Sequence, residues 1–136
     1  VISTVRAEPG FERLPIIVHG YDYVFPYPWG DHDGRSPLWA ARDEWLGAPL
    51  ADRGIEDRGL RRAILKRLID TLYDLLVEIA GDPAETAVWV VDCRGAMPDV
   101  SDWADEIHGT SEGFEKVAMR FRYVLSQALA AGARVA

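Results

Sequence analysis

Two continuous apolar runs lie along the chain, at residues 14–18 and 87–91. Each run ends at a polar position, His19 after the first and Asp92 after the second. Short apolar runs without alternation are typical of strands that are covered on both faces, as in a parallel sheet. The pattern therefore predicts two buried parallel strands.

Two longer segments carry apolar residues at helical spacing. The first runs from about residue 57 to residue 80 and stops at a Gly-Asp-Pro sequence, and the second begins after residue 110 or 111 and ends near Gly132. Strands that alternate with helices predict an α/β layer fold with right-handed crossovers. The expected apolar faces are Leu60, Ile64, Leu68, Leu72, Leu75, Leu76 and Ile79 in the first helix, and Phe114, Val117, Ala118, Phe121, Val124, Leu125 and Leu129 in the second.

The segment from residue 21 to residue 57, here called the aromatic segment, has a different composition. It contains four prolines, four glycines and three tryptophans, and its pattern predicts at most a short helix around residues 38–45. Loops of this length in a compact domain more often line a pocket than merely connect elements. Trp29, Trp39 and Trp45 are candidate pocket walls, and packing that holds the loop to the core is the alternative role.

Two strands make a narrow sheet, because each leaves an unpaired edge and too little surface to cover two long helices. We expect either that further strands precede Val1, since the chain begins without methionine, or that a second copy adds to the sheet edge. The second arrangement would make a homodimer.

Amino-acid composition and net charge limit the possible size, partners and location of the protein. The 136 residues are 49% hydrophobic, as in one compact domain, and their net charge of −7 argues against nucleic acid as a partner. The single cysteine, Cys93, excludes an intramolecular disulfide. No apolar run approaches the roughly 20 residues that span a bilayer, and no targeting segment is visible, so a cytoplasmic location is expected.

The sharpest local motif is Asp105-Glu106-Ile107-His108, placed just before the second helix. An aspartate three residues before a histidine can accept a hydrogen bond from imidazole Nδ1 and leave Nε2 able to take a proton. An exposed turn with acids that cap the helix is the alternative interpretation of the same residues.

The run from Asp102 to Phe114, which contains this motif, resembles the last block of SGNH (GDSL-type) hydrolases. Residues 91–95 (Val-Asp-Cys-Arg-Gly) and 19–23 (His-Gly-Tyr-Asp-Tyr) also resemble the bacterial SGNH-type pattern, so the resemblance extends from about residue 15 to residue 129. It implies a three-layer flavodoxin-like fold and a serine ester or acyl hydrolase without a cofactor or metal. In that reaction His108 would be the general base and Asp105 its partner.

The chain departs from this family at the other catalytic positions. It has no Gly-Asp-Ser sequence and no asparagine, and Gly109 stands where the family usually has proline. We therefore expect residues 1–136 to be the C-terminal portion of one SGNH-like domain, inactive alone, with the nucleophilic serine upstream. The expected partner is a small ester or acyl substrate, and the expected substrate-binding residues are His19, Tyr21, Asp22, Trp29, Trp39 and Trp45.

Three other interpretations stay open. His19 and Cys93 follow the two predicted strands and resemble the His-Gly and Cys-Arg-Gly ends of caspase-like proteases, in which histidine activates a thiolate. An acidic, histidine-containing loop could bind a metal through His19, Asp22, Asp31, His32 and Asp33, although its spacing does not fit an EF-hand. The chain could also be a non-catalytic binding or assembly module that dimerises through a sheet edge.

Overall fold

A computed structural model describes residues 1–31, 33–36, 45–84 and 87–132 of the chain. Both predicted strands and both predicted long helices are present, close to the expected positions. The short helix predicted around residues 38–45 falls, apart from Trp45, outside the described residues. The elements are α1 (Ile2–Arg6), β1 (Ile16–His19), α2 (Gly47–Ala51), α3 (Arg58–Gly81), β2 (Val88–Val91), a 3-10 turn (Val100–Asp102) and α4 (Ser111–Gly132).

The two strands lie side by side and run parallel, from the pair Ile16 and Val88 to the pair His19 and Val91. Helix α3 connects them and contacts both, so the described part of the chain has mixed α/β architecture. The strands are less buried than predicted, because all their residues except Val91 retain partial or full exposure. The described sheet has only two strands and therefore two open edges, so its residues stay partly in contact with solvent.

Local capping fixes where the long helices begin. The Asp57 carboxylate accepts a hydrogen bond from the N–H of Leu60 at 2.6 Å, and the Thr110 hydroxyl accepts one from the N–H of Gly113 at 3.1 Å. Gly113 also allows α4 to approach the preceding turn closely, since a Cβ there would lie 2.2 Å from the carbonyl oxygen of Asp102. The contacts of Thr110 and Gly113 attach the start of α4 to the segment that contains Asp105 and His108.

The apolar faces predicted for burial remain largely exposed, and this part of the prediction is wrong. Helix α3 buries Arg61, Leu65 and Tyr73, and α4 buries Gly113 and Ala128. The narrow sheet offers little surface against which the leucine-rich faces of these helices could pack, so those faces do not orient the helices. The buried face of α3 is held instead by polar contacts. The exposed apolar side chains include Leu60, Leu68, Leu72, Leu75 and Ile79 on α3, and Phe114, Leu125 and Leu129 on α4.

The main hydrophobic cluster draws residues from the aromatic segment, α3 and the turn before α4. Its buried members are Val24, Phe25, Leu65, Met97 and Trp103. Val24 and Phe25 follow β1, and Met97 and Trp103 follow β2, so both connections that leave the strands meet in this cluster. The first residues of the aromatic segment are therefore part of the core.

Candidate functional site

Asp105 and His108 lie in a tight turn, here called the Asp–His turn (residues 103–109). Trp103 and Gly109 form an antiparallel bridge across its base, and the N–H of Ala104 donates to the carbonyl of His108 at 2.8 Å. The indole of Trp103 is 1% exposed and donates to the Met97 carbonyl at 3.2 Å. The turn is thus closed by its own backbone and anchored in the core by one aromatic side chain.

The structure brings the two predicted catalytic residues together. Oδ2 of Asp105 lies 2.8 Å from Nδ1 of His108, while Oδ1 accepts the N–H groups of Ile107 at 2.8 Å and His108 at 2.6 Å. The Asp105 side chain is 9% exposed and that of His108 is 58% exposed. The carboxylate is therefore fixed from three directions, and the imidazole extends from it toward solvent.

The charge state of Asp105 determines which ring nitrogen of His108 carries the proton. Burial of Asp105 opposes ionisation, but the N–H groups of Ile107 and His108 and the imidazole outweigh it, so the pKa of Asp105 lies below its ordinary value. An ionised carboxylate accepts hydrogen bonds and cannot donate them, so Nδ1 of His108 carries the proton. In the neutral ring, Nε2 is then the basic nitrogen, as a general base requires.

A second carboxylate in the same turn, Glu106, faces the protein interior. It is 1% exposed and accepts the N–H groups of Tyr27 at 2.6 Å, Gly47 at 2.7 Å and Leu46 at 2.8 Å. Adjacent carboxylates therefore have opposite orientations, since Asp105 holds the exposed histidine and Glu106 holds the aromatic segment. The sequence motif contains Glu106 but does not indicate this role, because the only sign of it is a charged residue next to Asp105.

Arg35, which the sequence analysis also missed, contacts the turn from the aromatic segment. Its guanidinium donates to the carbonyl oxygens of Asp105 at 3.0 Å and Phe25 at 2.6 Å, and it forms a buried ion pair with Asp33 at 2.6 Å. Burial of Asp33 opposes ionisation, but its bonds from Arg35 and Trp29 keep the pKa of Asp33 below its ordinary value. Arg35 therefore joins the turn to two points of the aromatic segment.

At the carboxyl ends of the strands, Asp22 and Tyr73 bind backbone groups. Asp22 is 2% exposed and accepts the N–H groups of Tyr23, Gly95 and Met97. The Tyr73 hydroxyl joins Gly20, which follows β1, to Val91 and Cys93 at the end of β2. Asp22 was expected to bind substrate, but its carboxylate is already occupied by backbone donors, so it connects two loops instead.

The other predicted substrate-binding residues differ in their surroundings. Tyr21 and Trp45 are 50% and 55% exposed. Trp29 packs edge-on against Phe25, with ring centroids 5.2 Å apart, and is partly buried against the main hydrophobic cluster. Trp39 lies outside the described residues.

His19 and Cys93 do not have the environment of a cysteine protease dyad. The His19 ring packs edge-on against Phe121, at 5.0 Å between centroids, and its Nδ1 lies 3.2 Å from the Gly20 carbonyl. Cys93 is 2% exposed, and burial raises the pKa of its thiol. A raised pKa favours the protonated thiol, which is the poorer nucleophile.

The acidic residues proposed for a metal site have other partners. Asp31 pairs with Arg58 at 3.1 Å, Asp33 pairs with Arg35, and Asp22 accepts backbone N–H groups. His32 lies outside the described residues. Among the residues described, no three His, Cys, Asp or Glu side chains are grouped so as to hold a metal ion.

Comparison of the chain with known protein families, with curated proteins and with solved structures finds no match. In the part of the chain that the structure covers, none of the helices has the length and apolar character required to cross a bilayer.

Proposed function

We propose that this chain supplies the general base and its orienting carboxylate to a serine ester or acyl hydrolase of the SGNH type, with a flavodoxin-like fold. The observation that carries the proposal is the 2.8 Å contact between Asp105 Oδ2 and His108 Nδ1, in a turn that leaves the imidazole 58% exposed. A histidine held in this way has a fixed tautomer and an accessible basic nitrogen, which are the two requirements for activating a hydroxyl group.

In the proposed reaction, Nε2 of His108 takes the proton of a serine hydroxyl as its oxygen attacks the substrate carbonyl carbon. Asp105 stabilises the imidazolium that forms, and His108 returns the proton to the departing alcohol or amine. Water then hydrolyses the acyl-serine with the same histidine as base. The reaction uses no metal or redox cofactor.

The proposed nucleophile is a serine outside these 136 residues. Serine hydrolases of α/β folds place that serine in the sharp turn between a strand and the following helix. The residues directly after β1 and β2 are Gly20 and Asp92, and the described serines lie elsewhere. The positions of those serines are Ser3 in α1, Ser36 in the aromatic segment, Ser101 in the 3-10 turn, and Ser111 and Ser126 in α4.

The test is hydrolysis of p-nitrophenyl acetate by the full-length protein and its variants. His108→Gly should lower kcat by about a hundred-thousandfold or more, and added imidazole should restore part of it. Asp105→Asn should cause a loss of roughly ten-thousandfold, because the amide favours the wrong tautomer of His108. Wild-type turnover in His108→Gly would contradict the proposal.

A fluorophosphonate label identifies the nucleophile in the same protein. The proposal expects one labelled serine, located by mass spectrometry, and expects Cys93→Ser to turn over at the wild-type rate. Loss of turnover in Cys93→Ser would instead favour the cysteine protease interpretation.

An assembly module is the second candidate, and the exposed apolar surface favours it. Leu68, Leu75 and Leu129 are each more than half exposed, and among the described residues neither outer edge of the sheet is paired. Exposed apolar patches and open strand edges are typical of surfaces that contact another chain. Sedimentation over a range of concentrations tests this candidate, since a dimer without esterase turnover would support it and a monomer at all concentrations would exclude it.

A further inference from the structure

Glu106 is a buried carboxylate whose partners, among the residues that the structure describes, are all backbone N–H groups. Its Oε1 accepts from Tyr27 and Gly47, and its Oε2 accepts from Leu46, at distances between 2.6 and 2.8 Å. A carboxylate that is 1% exposed is costly to bury unless several strong hydrogen bonds compensate for its lost hydration. The three donors belong to two separate stretches of the aromatic segment, so Glu106 holds both stretches at once.

The backbone is shaped to admit this carboxylate. At Gly47, an added Cβ would lie 2.1 Å from the carbonyl oxygen of Tyr27 and 2.8 Å from Oε1 of Glu106. A side chain at position 47 would therefore separate Tyr27 from the first turn of α2, or displace the carboxylate. Glycine at this position permits the close approach that Glu106 requires.

Arg35 provides a second attachment at the neighbouring residue. Arg35 donates to the Asp105 carbonyl, while the side chain of the next residue, Glu106, accepts the N–H of Gly47. The backbone of residues 105 and 106 is thus held to the aromatic segment through two different side chains. Asp105 Oδ2, which orients His108, projects from this doubly attached backbone.

We propose that Glu106 is a positioning residue for His108. By fixing the backbone of the Asp–His turn, it keeps the Asp105 carboxylate against Nδ1 and holds the exposed imidazole in one tautomer and one direction. The structural part of this inference concerns the ring of His108, and its catalytic consequence rests on the proposed function. Glu106 does not touch the reacting atoms.

The first experiment follows the ring directly by NMR, in protein labelled with ¹⁵N-histidine. The wild-type spectrum should show His108 protonated at Nδ1, with a low-field proton signal from the bond to Asp105. Glu106→Gln keeps the shape of the side chain but places an NH₂ group against a backbone N–H, so this signal should broaden and the Nε2-protonated form should increase. Arg35→Lys, which loses the paired carbonyl contacts, should change the spectrum in the same direction and is an independent variant.

Tyr73→Phe is the matched control, because it removes buried backbone hydrogen bonds without touching the Asp–His turn. A general loss of stability would change the His108 signals equally in Tyr73→Phe and Glu106→Gln, and this result would overturn the inference. An unchanged His108 spectrum in folded Glu106→Gln would also overturn it. Where Glu106→Gln does not fold, Glu106→Asp, which keeps the charge but is too short to reach all three backbone N–H groups, gives the same test.

Turnover gives the second readout. Glu106→Gln should lower kcat for p-nitrophenyl acetate by roughly tenfold to a hundredfold with little change in KM, since small displacements of a catalytic group affect the transition state more than binding. If His108→Gly retains full turnover, the proposed function fails, while the NMR comparison still decides the role of Glu106. If His108 is essential but Glu106→Gln has wild-type kcat and spectrum, only the positioning role fails.

Discussion

The Tyr73 hydroxyl links the ends of the two strands by hydrogen bonds, and its removal has a calculable effect. It accepts the N–H groups of Cys93 at 2.8 Å and Gly20 at 3.3 Å, and it donates to the Val91 carbonyl at 3.3 Å. The side chain is 1% exposed, and burial holds the pKa of its hydroxyl above the ordinary value, so the group stays protonated and can both donate and accept.

Tyr73→Phe removes this partner from the N–H groups of Cys93 and Gly20 in a site too buried for easy access of water, while the Val91 carbonyl keeps its contact with the Cys93 thiol at 3.8 Å. A buried unsatisfied N–H costs about 1–3 kcal/mol, and the two longer bonds contribute less than the short one. We therefore expect the free energy of unfolding to fall by about 2–4 kcal/mol. At about 3.5 °C per kcal/mol for a chain of this size, the Tm should fall by roughly 7–14 °C.

Urea denaturation followed by circular dichroism measures this loss, with Tyr123→Phe as the control. Tyr123 is 69% exposed, so removal of its hydroxyl should change the free energy of unfolding by less than about 0.5 kcal/mol. The loss in Tyr73→Phe should be the same at pH 6 and pH 8, because no ionised state of Tyr73 is involved. A loss below about 0.5 kcal/mol would refute the assignment of Tyr73 as the link between the strand ends.

Two further predictions test the buried face of α3 and the ion pair in the aromatic segment. Leu65→Ala should lower the free energy of unfolding by about 2–4 kcal/mol. Leu68→Ala, at a side chain that is 61% exposed, should lower it by less than about 0.5 kcal/mol. Equal losses in urea denaturation would contradict the observed buried face of α3. The pKa of Asp33 is lowered in the folded chain, so its stabilising contribution is present above about pH 4 and is lost as the pH falls through its folded pKa. Asp33→Asn should therefore be less stable than wild type at pH 7, and the gap should narrow on acidification; a gap that stays constant down to pH 2 would refute the ion pair with Arg35 as its source.

The periodicity of the sequence predicts which elements exist but not how the helices face. Continuous apolar runs identify both strands, and the capping residues Asp57 and Thr110 precede the observed helix starts. The face of α3 is different, because Tyr73 and Arg61 are buried by specific bonds to backbone carbonyls and amides. Helical periodicity ranks residues by hydropathy and carries no information on such distant polar partners.

The candidate site divides in a similar way. The Asp105 and His108 pair is local in sequence, and a spacing of three residues is enough to predict the hydrogen bond between them. Glu106 reaches its donors across 59–79 residues and Arg35 reaches Asp105 across 70, and their partners are mostly backbone groups that any residue type could provide. A single sequence cannot identify such contacts, because nothing in the composition of the acceptor or donor segment marks them.

Three buried carboxylates, those of Asp22, Glu106 and Asp105, differ in what their two oxygens bind. Asp22 and Glu106 each accept three N–H groups of the described backbone, so both oxygens of each carboxylate are bonded to the main chain. Asp105 satisfies two backbone N–H groups with Oδ1 alone, so Oδ2 remains for Nδ1 of His108. Oδ2 binds the exposed imidazole of His108 and not the backbone. The same carboxylate therefore holds the turn together and fixes the tautomer of His108. This sharing explains why Asp105→Asn is the most informative variant: the amide oxygen can keep the backbone bonds and the fold, while its NH₂ group faces Nδ1 and removes the preference that makes Nε2 basic.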